Sequence, residues 1–241
     1  MSKVIIESLT YHASGKAFES RLVYAQGALQ QPALVMAPNW MGITEGAERI
    51  AKEVASRGYV VLLADLYGQG VRPSNADEAV AAMMPLKNDR QQLRTRMNEA
   101  LAQLLGQSRA LLAPGKVAAF GFCFGGCCAL DLARSGADIR AAISFHGTLD
   151  APVPDDARQI QGAVLALHGA QDPLVPSEQL PAFEAEMSAA NVDWQLTSYG
   201  GAVHSFTDPE ANVPGKTQYN RKVSERAFTA MYNLLDEVFS R

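Results

Sequence analysis

Short continuous apolar runs alternate along the chain with longer segments of helical periodicity. Ala33–Ala37, Tyr59–Ala64, Val117–Phe120 and Ala163–Leu167 are apolar without interruption and Ala141–Phe145 is apolar but for Ser144, the pattern of parallel strands covered on both faces. Between them, 45–57 carries Ile50 and Val54 on one stripe before Gly58, 90–112 repeats Leu93, Met97, Leu101, Leu104 and Leu105, and 217–239 repeats Val223, Ala227, Met231, Leu234, Leu235 and Val238. These spacings predict amphipathic helices. The opening differs: Val4–Thr10 and Ala17–Tyr24 are β-rich and joined through Ser14-Gly15-Lys16, which predicts an antiparallel hairpin. The expected fold is α/β, a mainly parallel central sheet with helices on both faces, right-handed crossovers and an N-terminal antiparallel hairpin. Residues 68–88, with Pro73 and Pro85, are expected to form a covering segment above the C-terminal edge of the sheet.

Length and charge narrow the function. A chain of 241 residues without internal repeats or low-complexity tracts fits a single domain over 1–241. Twenty-one basic against 25 acidic residues leave a net charge of −4, and no basic run stands out. Neither nucleic acid nor a membrane surface is an expected partner; a small molecule is, with the chain a monomer or small homo-oligomer. The N-terminal residues lack an apolar signal core, and three cysteines, two of them adjacent, make no disulfide framework. Both features point to a cytoplasmic protein.

One hexapeptide carries the chemistry. Gly121-Phe122-Cys123-Phe124-Gly125-Gly126 follows an apolar strand and precedes the small, apolar stretch to Ala133. That is the strand, sharp turn and helix of a nucleophile elbow, with cysteine at the reactive position. Glycines on both sides give a strained backbone room. Cys127 and Cys128 follow on the same helix and are expected to pack it on the sheet, since no second ligand pair exists for a metal.

A thiol near its ordinary pKa needs a base, and the base needs an orienting carboxylate. His12 falls in the opening hairpin. His146 and His168 end predicted strands, where hydrogen-bonded structural roles are expected. His204 lies in the glycine-opened loop Gly200-Gly201-Ala202-Val203-His204-Ser205-Phe206, after the strand 193–199 and before the last helix. That loop can bring an imidazole back over the sheet edge, which makes His204 the expected base. Asp172, in Gly169-Ala170-Gln171-Asp172-Pro173, follows a strand and precedes a helix opening near Ser177. It fits the chain order nucleophile, acid, histidine. The candidate catalytic set is therefore Cys123, Asp172 and His204, each in a loop after a predicted strand. The oxyanion hole is expected from the backbone N–H groups of Phe124 and of Trp40, in the Pro38-Asn39-Trp40-Met41-Gly42 loop.

With these segments in hand, the chain resembles the dienelactone hydrolase family over nearly its full length. The likeness rests on the cysteine elbow, on Ala37-Pro38-Asn39-Trp40-Met41-Gly42, Gly58-Tyr59-Val60-Val61 and Ala64-Asp65-Leu66-Tyr67-Gly68, and on the Gly169–Asp172 and Ala202–Phe206 segments. It implies an α/β-hydrolase with no cofactor and no metal, cleaving a small ester or lactone through an acyl-thioester. Two positions depart from the family pattern. Where enzymes that open dienelactone carry a glutamate that helps activate the thiol, this chain has Asn39, which places Asn39 in the substrate pocket without a proton-accepting group. Where the family has a substrate-binding arginine four residues after the histidine, this chain has Asp208. An anionic substrate would be repelled there, so a neutral ester or lactone is expected. Arg72, Arg90 and Arg94 are replacement anion ligands or solvated surface residues. The rival readings are a catalytically silent scaffold that binds a small ligand and a thiol redox protein.

Overall fold

The hairpin sets the first edge of the sheet. Strands β1 (Val4–Ala13) and β2 (Lys16–Ala25) pair antiparallel with Ala13 opposite Lys16. The two-residue turn places Ser14 at φ 50° and Gly15 at φ 74°, positive at both positions as a type I′ turn requires. Lys16, expected in the turn, is thus the first residue of β2. His12 lies exposed within β1.

The computed structural model describes residues 3–240 except Ala28, and the chain groups into two units, one ending at Ala119 and the other beginning at Phe120. In the first, β2 continues antiparallel onto β4 (Val60–Leu63), and β4 pairs parallel with β3 (Gln31–Ala37), giving the order β1-β2-β4-β3. Helix α1 (Glu45–Ser56) starts on Thr44, whose hydroxyl accepts from the Ala47 N–H. The segment expected as a cover contains helix α2 (Ala76–Asn88), capped by Asn75 Oδ1, while Glu78 reaches back to the Ser74 N–H. These reciprocal bonds satisfy end groups the helix itself leaves open.

Helix α3 (Arg90–Gly106) is shorter than its sequence pattern predicts, because the apolar repeat runs on into the next strand. Gln107 ends it: its Oε1 accepts from the Arg109 and Ala110 N–H groups and its Nε2 donates to the Ala110 carbonyl. The chain is thereby turned into β5 (Leu112–Phe122), which includes Leu112, assigned to the helix from sequence.

In the second unit, helix α4 (Phe124–Arg134) follows the elbow, and β6 (Ala141–Phe145), β7 (Ala163–Gly169) and β8 (Trp194–Tyr199) pair parallel in that order. All of β6 and β7 is buried, Ser144 and His168 included, as their mainly apolar runs require. Helix α5 (Gln179–Ala189) anchors through Glu186, whose carboxylate receives Nε and Nη2 of the fully buried Arg134 at 2.8 and 2.7 Å. Beyond β8 a ribbon of β9 (Asn212–Val213) and β10 (Thr217–Gln218) precedes helix α6 (Arg221–Ser240). The last helix therefore begins later than its periodicity predicts: Thr217 belongs to the ribbon, and Asn220 accepts from the Val223 N–H at the helix start. The sheet is mainly parallel with an antiparallel N-terminal hairpin, as expected. No helix among the described residues is long and apolar enough to cross a membrane.

Candidate active site

The elbow is strained where sequence placed the nucleophile. Cys123 stands at φ 55°, ψ −120°, a region that non-glycine residues rarely occupy and that costs on the order of 1–3 kcal/mol. It immediately precedes α4, yet its side chain caps no helix N–H, so the sulfur is not spent on structure. Close packing holds the turn. A Cβ on Gly126 would lie 2.4 Å from Ser144 Oγ and 3.1 Å from Gly147 Cα, and one on Gly147 would lie 2.9 Å from the Cys123 carbonyl oxygen. Backbone leaves room only for glycine at 147, and at 126 a side chain would have to displace the Ser144 hydroxyl. The Cys123 N–H donates to the Phe145 carbonyl at 2.9 Å, tying the elbow to the end of β6.

The acid and the histidine come from two loops that hydrogen-bond to each other. Ala170 N–H donates to the Tyr199 carbonyl and Gln171 N–H to the Ala202 carbonyl. Gly169 lies so near that a Cβ there would meet the Ala202 and Val203 carbonyl oxygens at 2.8 Å. Asp172 then accepts from the Leu174 N–H on Oδ1 at 2.8 Å and holds His204 Nδ1 on Oδ2 at 2.8 Å. Both side chains are buried. His204 is fixed from its other side as well, since its carbonyl accepts from the Gln218 N–H in a bridge to β10.

Charge completes the arrangement. Burial alone would lower the His204 pKa, but the hydrogen bond to Asp172 and the neighbouring Cys123 thiol outweigh it and raise it to about 10. Nε2 is buried without an aligned hydrogen bond among the described residues. The Cys123 thiol acts on this ring by hydrogen bonding as well as by charge. The structure thus brings Cys123, His204 and Asp172 together in that order.

Asn39 and Trp40 lie in the first unit, in the turn after β3. Asn39 Oδ1 accepts from the Met41 N–H at 2.9 Å, and the Trp40 carbonyl accepts from the Tyr67 hydroxyl at 2.8 Å. Phe124 is the first residue of α4. Asp208 bonds the Glu210 N–H in a local turn. Arg72 is partly exposed but not a free anion ligand, because it binds the carbonyls of Glu19, Gly68 and Val71 and stands 3.5 Å from Asp65. Cys127 is buried as expected but has a polar partner, Asp131 Oδ2, at 3.7 Å.

Two residues were not expected beside the histidine. The His146 ring lies edge-on to His204, centroids 5.1 Å apart, and its Nε2 pairs with Thr207 Oγ1 at 2.8 Å. Sequence offered one signal: a histidine between the end of a strand and a glycine, where the chain takes a left-handed turn.

Residues 18–239 match the dienelactone hydrolase family. The chain belongs to the dienelactone hydrolase family. Its relatives agree over most of its length. A probable 2-oxo-3-(5-oxofuran-2-ylidene)propanoate lactonase of Bradyrhizobium sp. is 32% identical over 78% of this chain and 79% of its own. An uncharacterized protein of Caenorhabditis elegans is 41% identical over 52% of this chain and 82% of its own. Among solved structures, the dienelactone hydrolase-like promiscuous phosphotriesterase P91 from metagenomic libraries superposes with a TM-score of 0.90 at 34% identity, covering 98% of both chains. Another, m3DLH, gives 0.92 at 37% identity over 98% of both. The protein is a hydrolase of this family with the α/β-hydrolase fold.

Proposed function

We propose that this hydrolase cleaves a small uncharged ester or lactone by covalent catalysis on Cys123. The observation that carries the reading is the buried 2.8 Å pairing of Asp172 with His204, beside a thiol on a strained elbow. With its pKa raised to about 10, His204 holds the thiol proton at neutral pH and leaves a thiolate, although Asn39 supplies no base. The thiolate attacks the carbonyl carbon, and the oxyanion is met by the Phe124 N–H at the start of α4. On the family resemblance, the Trp40 N–H is assigned as the second donor and Asn39 as a pocket residue. Collapse breaks the C–O bond, and the leaving alkoxide takes the proton from His204. Water then gives a proton to His204 and attacks the thioester, and the carboxylic acid leaves as the thiol is restored. Asp172 fixes the imidazole tautomer throughout.

Asp208, where the family places an arginine, supports a neutral substrate. The Bradyrhizobium relative's name supports a lactone, although the propanoate it names is an anion and Asp208 sets this chain apart from that charge; P91's name supports phosphotriesters as a second class attacked by the same sulfur. The decisive test is Cys123→Ala, assayed against p-nitrophenyl acetate, a panel of charged and neutral lactones, and an aryl phosphotriester. Turnover should fall to background with unchanged circular dichroism. Wild-type rates in that variant would overturn the mechanism, and a preference for anionic lactones would overturn the substrate class.

A further inference from the structure

His146 occupies a conformation that needs a reason. Its φ of 41° is in the left-handed region, uncommon for any residue but glycine. Its N–H donates to the Leu167 carbonyl at 2.8 Å, while the residue before it accepts from the Cys123 N–H. Its ring is wedged edge-on against His204 at 5.1 Å and against Phe206 at 4.9 Å. One segment therefore touches the elbow with its backbone and the base loop with its side chain.

The ring's hydrogen bonding defines its state. Nε2 pairs with Thr207 Oγ1, and Nδ1 is buried with no side-chain hydrogen-bond partner among the described residues. A proton on Nε2 is donated to the threonine oxygen and leaves Nδ1 a lone pair. Burial and the adjacent His204 both hold its pKa well below the ordinary histidine value, so the ring is neutral beside an imidazolium. The ionisable group that acts on it by charge is His204.

We propose that His146 is a positioning residue: hydrogen-bonded to Thr207 and packed on His204, it holds the base loop so that Nε2 of His204 meets the Cys123 sulfur. The inference rests on the reading of Cys123 and His204 given above. It acts through geometry, where a displacement of about 1 Å can cost on the order of a hundredfold in rate.

The test follows Cys123 alkylation by iodoacetamide across pH, alongside kcat and KM for p-nitrophenyl acetate. His146→Asn tolerates the left-handed backbone but removes the ring; Thr207→Val removes the acceptor, and Thr207→Ser restores it. His146→Asn should move the onset of alkylation upward by about a pH unit or more and lower kcat roughly 10- to 100-fold with KM within about twofold. Thr207→Val should move both in the same direction, and Thr207→Ser should match wild type. His204→Asn separates the two levels. If it leaves the alkylation profile unchanged, the reading of the base fails; if it shifts the profile while His146→Asn and Thr207→Val do not, the positioning role alone is overturned. Should His146→Asn fail to fold, the Thr207→Val and Thr207→Ser pair decides, and a Thr207→Val profile equal to wild type overturns the proposal.

Discussion

Two buried aspartates stand just beyond the ends of parallel strands, one in each unit, and they are used differently. Asp65, after β4, is saturated by backbone: Oδ2 accepts from the Glu19 N–H, Oδ1 accepts from those of Tyr67 and Gly68, and Arg72 stands 3.5 Å away. Asp172, after β7, accepts one backbone N–H on Oδ1 and keeps Oδ2 for the imidazole of His204. A carboxylate whose oxygens all meet fixed amides can only brace a turn. One that spares an oxygen for a titratable ring sets that ring's proton affinity. The unspent acceptor, rather than burial or position after a strand, separates the chemical aspartate from the structural one.

The comparison breaks most visibly under amide substitution. Asp172→Asn should lower turnover roughly a thousandfold to ten-thousandfold while the protein stays folded, since the amide can present an N–H to Nδ1 and favour the wrong tautomer. Steady-state kinetics on purified, folded protein measures this, and full activity would end the orienting role of Asp172. Asp65→Asn should leave kcat near wild type and instead destabilise the fold by about 1–3 kcal/mol, because one buried N–H loses its acceptor. Urea denaturation midpoints read that loss. A large drop in kcat with unchanged stability would reverse the two assignments.

A pH scan sharpens the same contrast. Because the folded protein raises the His204 pKa from 6.5 to about 10, the protonated ring contributes stability fully below pH 6.5. That contribution is lost as pH rises toward 10. The wild-type melting temperature should therefore fall across this window. Asp172→Asn, lacking the carboxylate that holds the proton, should show a flatter slope, whereas Asp65→Asn should keep the wild-type slope from a lower start. Equal slopes in all three would mean that the His204 proton is not held by Asp172.

Much of this was legible beforehand, for physical reasons that also mark where reading stopped. Apolar runs of strand length identify β6 and β7 because full burial leaves no polar alternation to confuse them. The elbow is legible because its glycines and its cysteine are contiguous and sit between a strand and a helix. Helix ends were not: the apolar repeat of α3 runs straight into Leu112 of β5, and only the Gln107 side chain, acting on residues beyond it, shows where the helix stops. The partnership of His146 with Thr207 joins residues 61 apart and leaves no periodic trace. Chain order alone separates Asp172 from Asp65 in the sequence, since only Asp172 lies between Cys123 and His204. Which donors reach each oxygen, the physical difference between them, is set by tertiary structure.

The smallest expected effect tests whether fixed amides suffice to hold a buried carboxylate. Arg72 is partly exposed, with 28% of its side chain accessible, and its guanidinium lies 3.5 Å from Asp65, beyond a good hydrogen bond. If three N–H groups already satisfy Asp65, removing the nearby charge should matter little. Arg72→Gln should then cost about 1 kcal/mol of unfolding free energy, mainly through its lost bonds to the Glu19, Gly68 and Val71 carbonyls, and leave turnover unchanged. The midpoint of urea unfolding checks this, read together with Asp65→Asn and the double variant. Non-additivity well above about 0.5 kcal/mol would mean that the arginine, and not the backbone, neutralises Asp65. The contrast would then be between two ion pairs, with Asp65 held by a cation as Asp172 is by the protonated ring of His204.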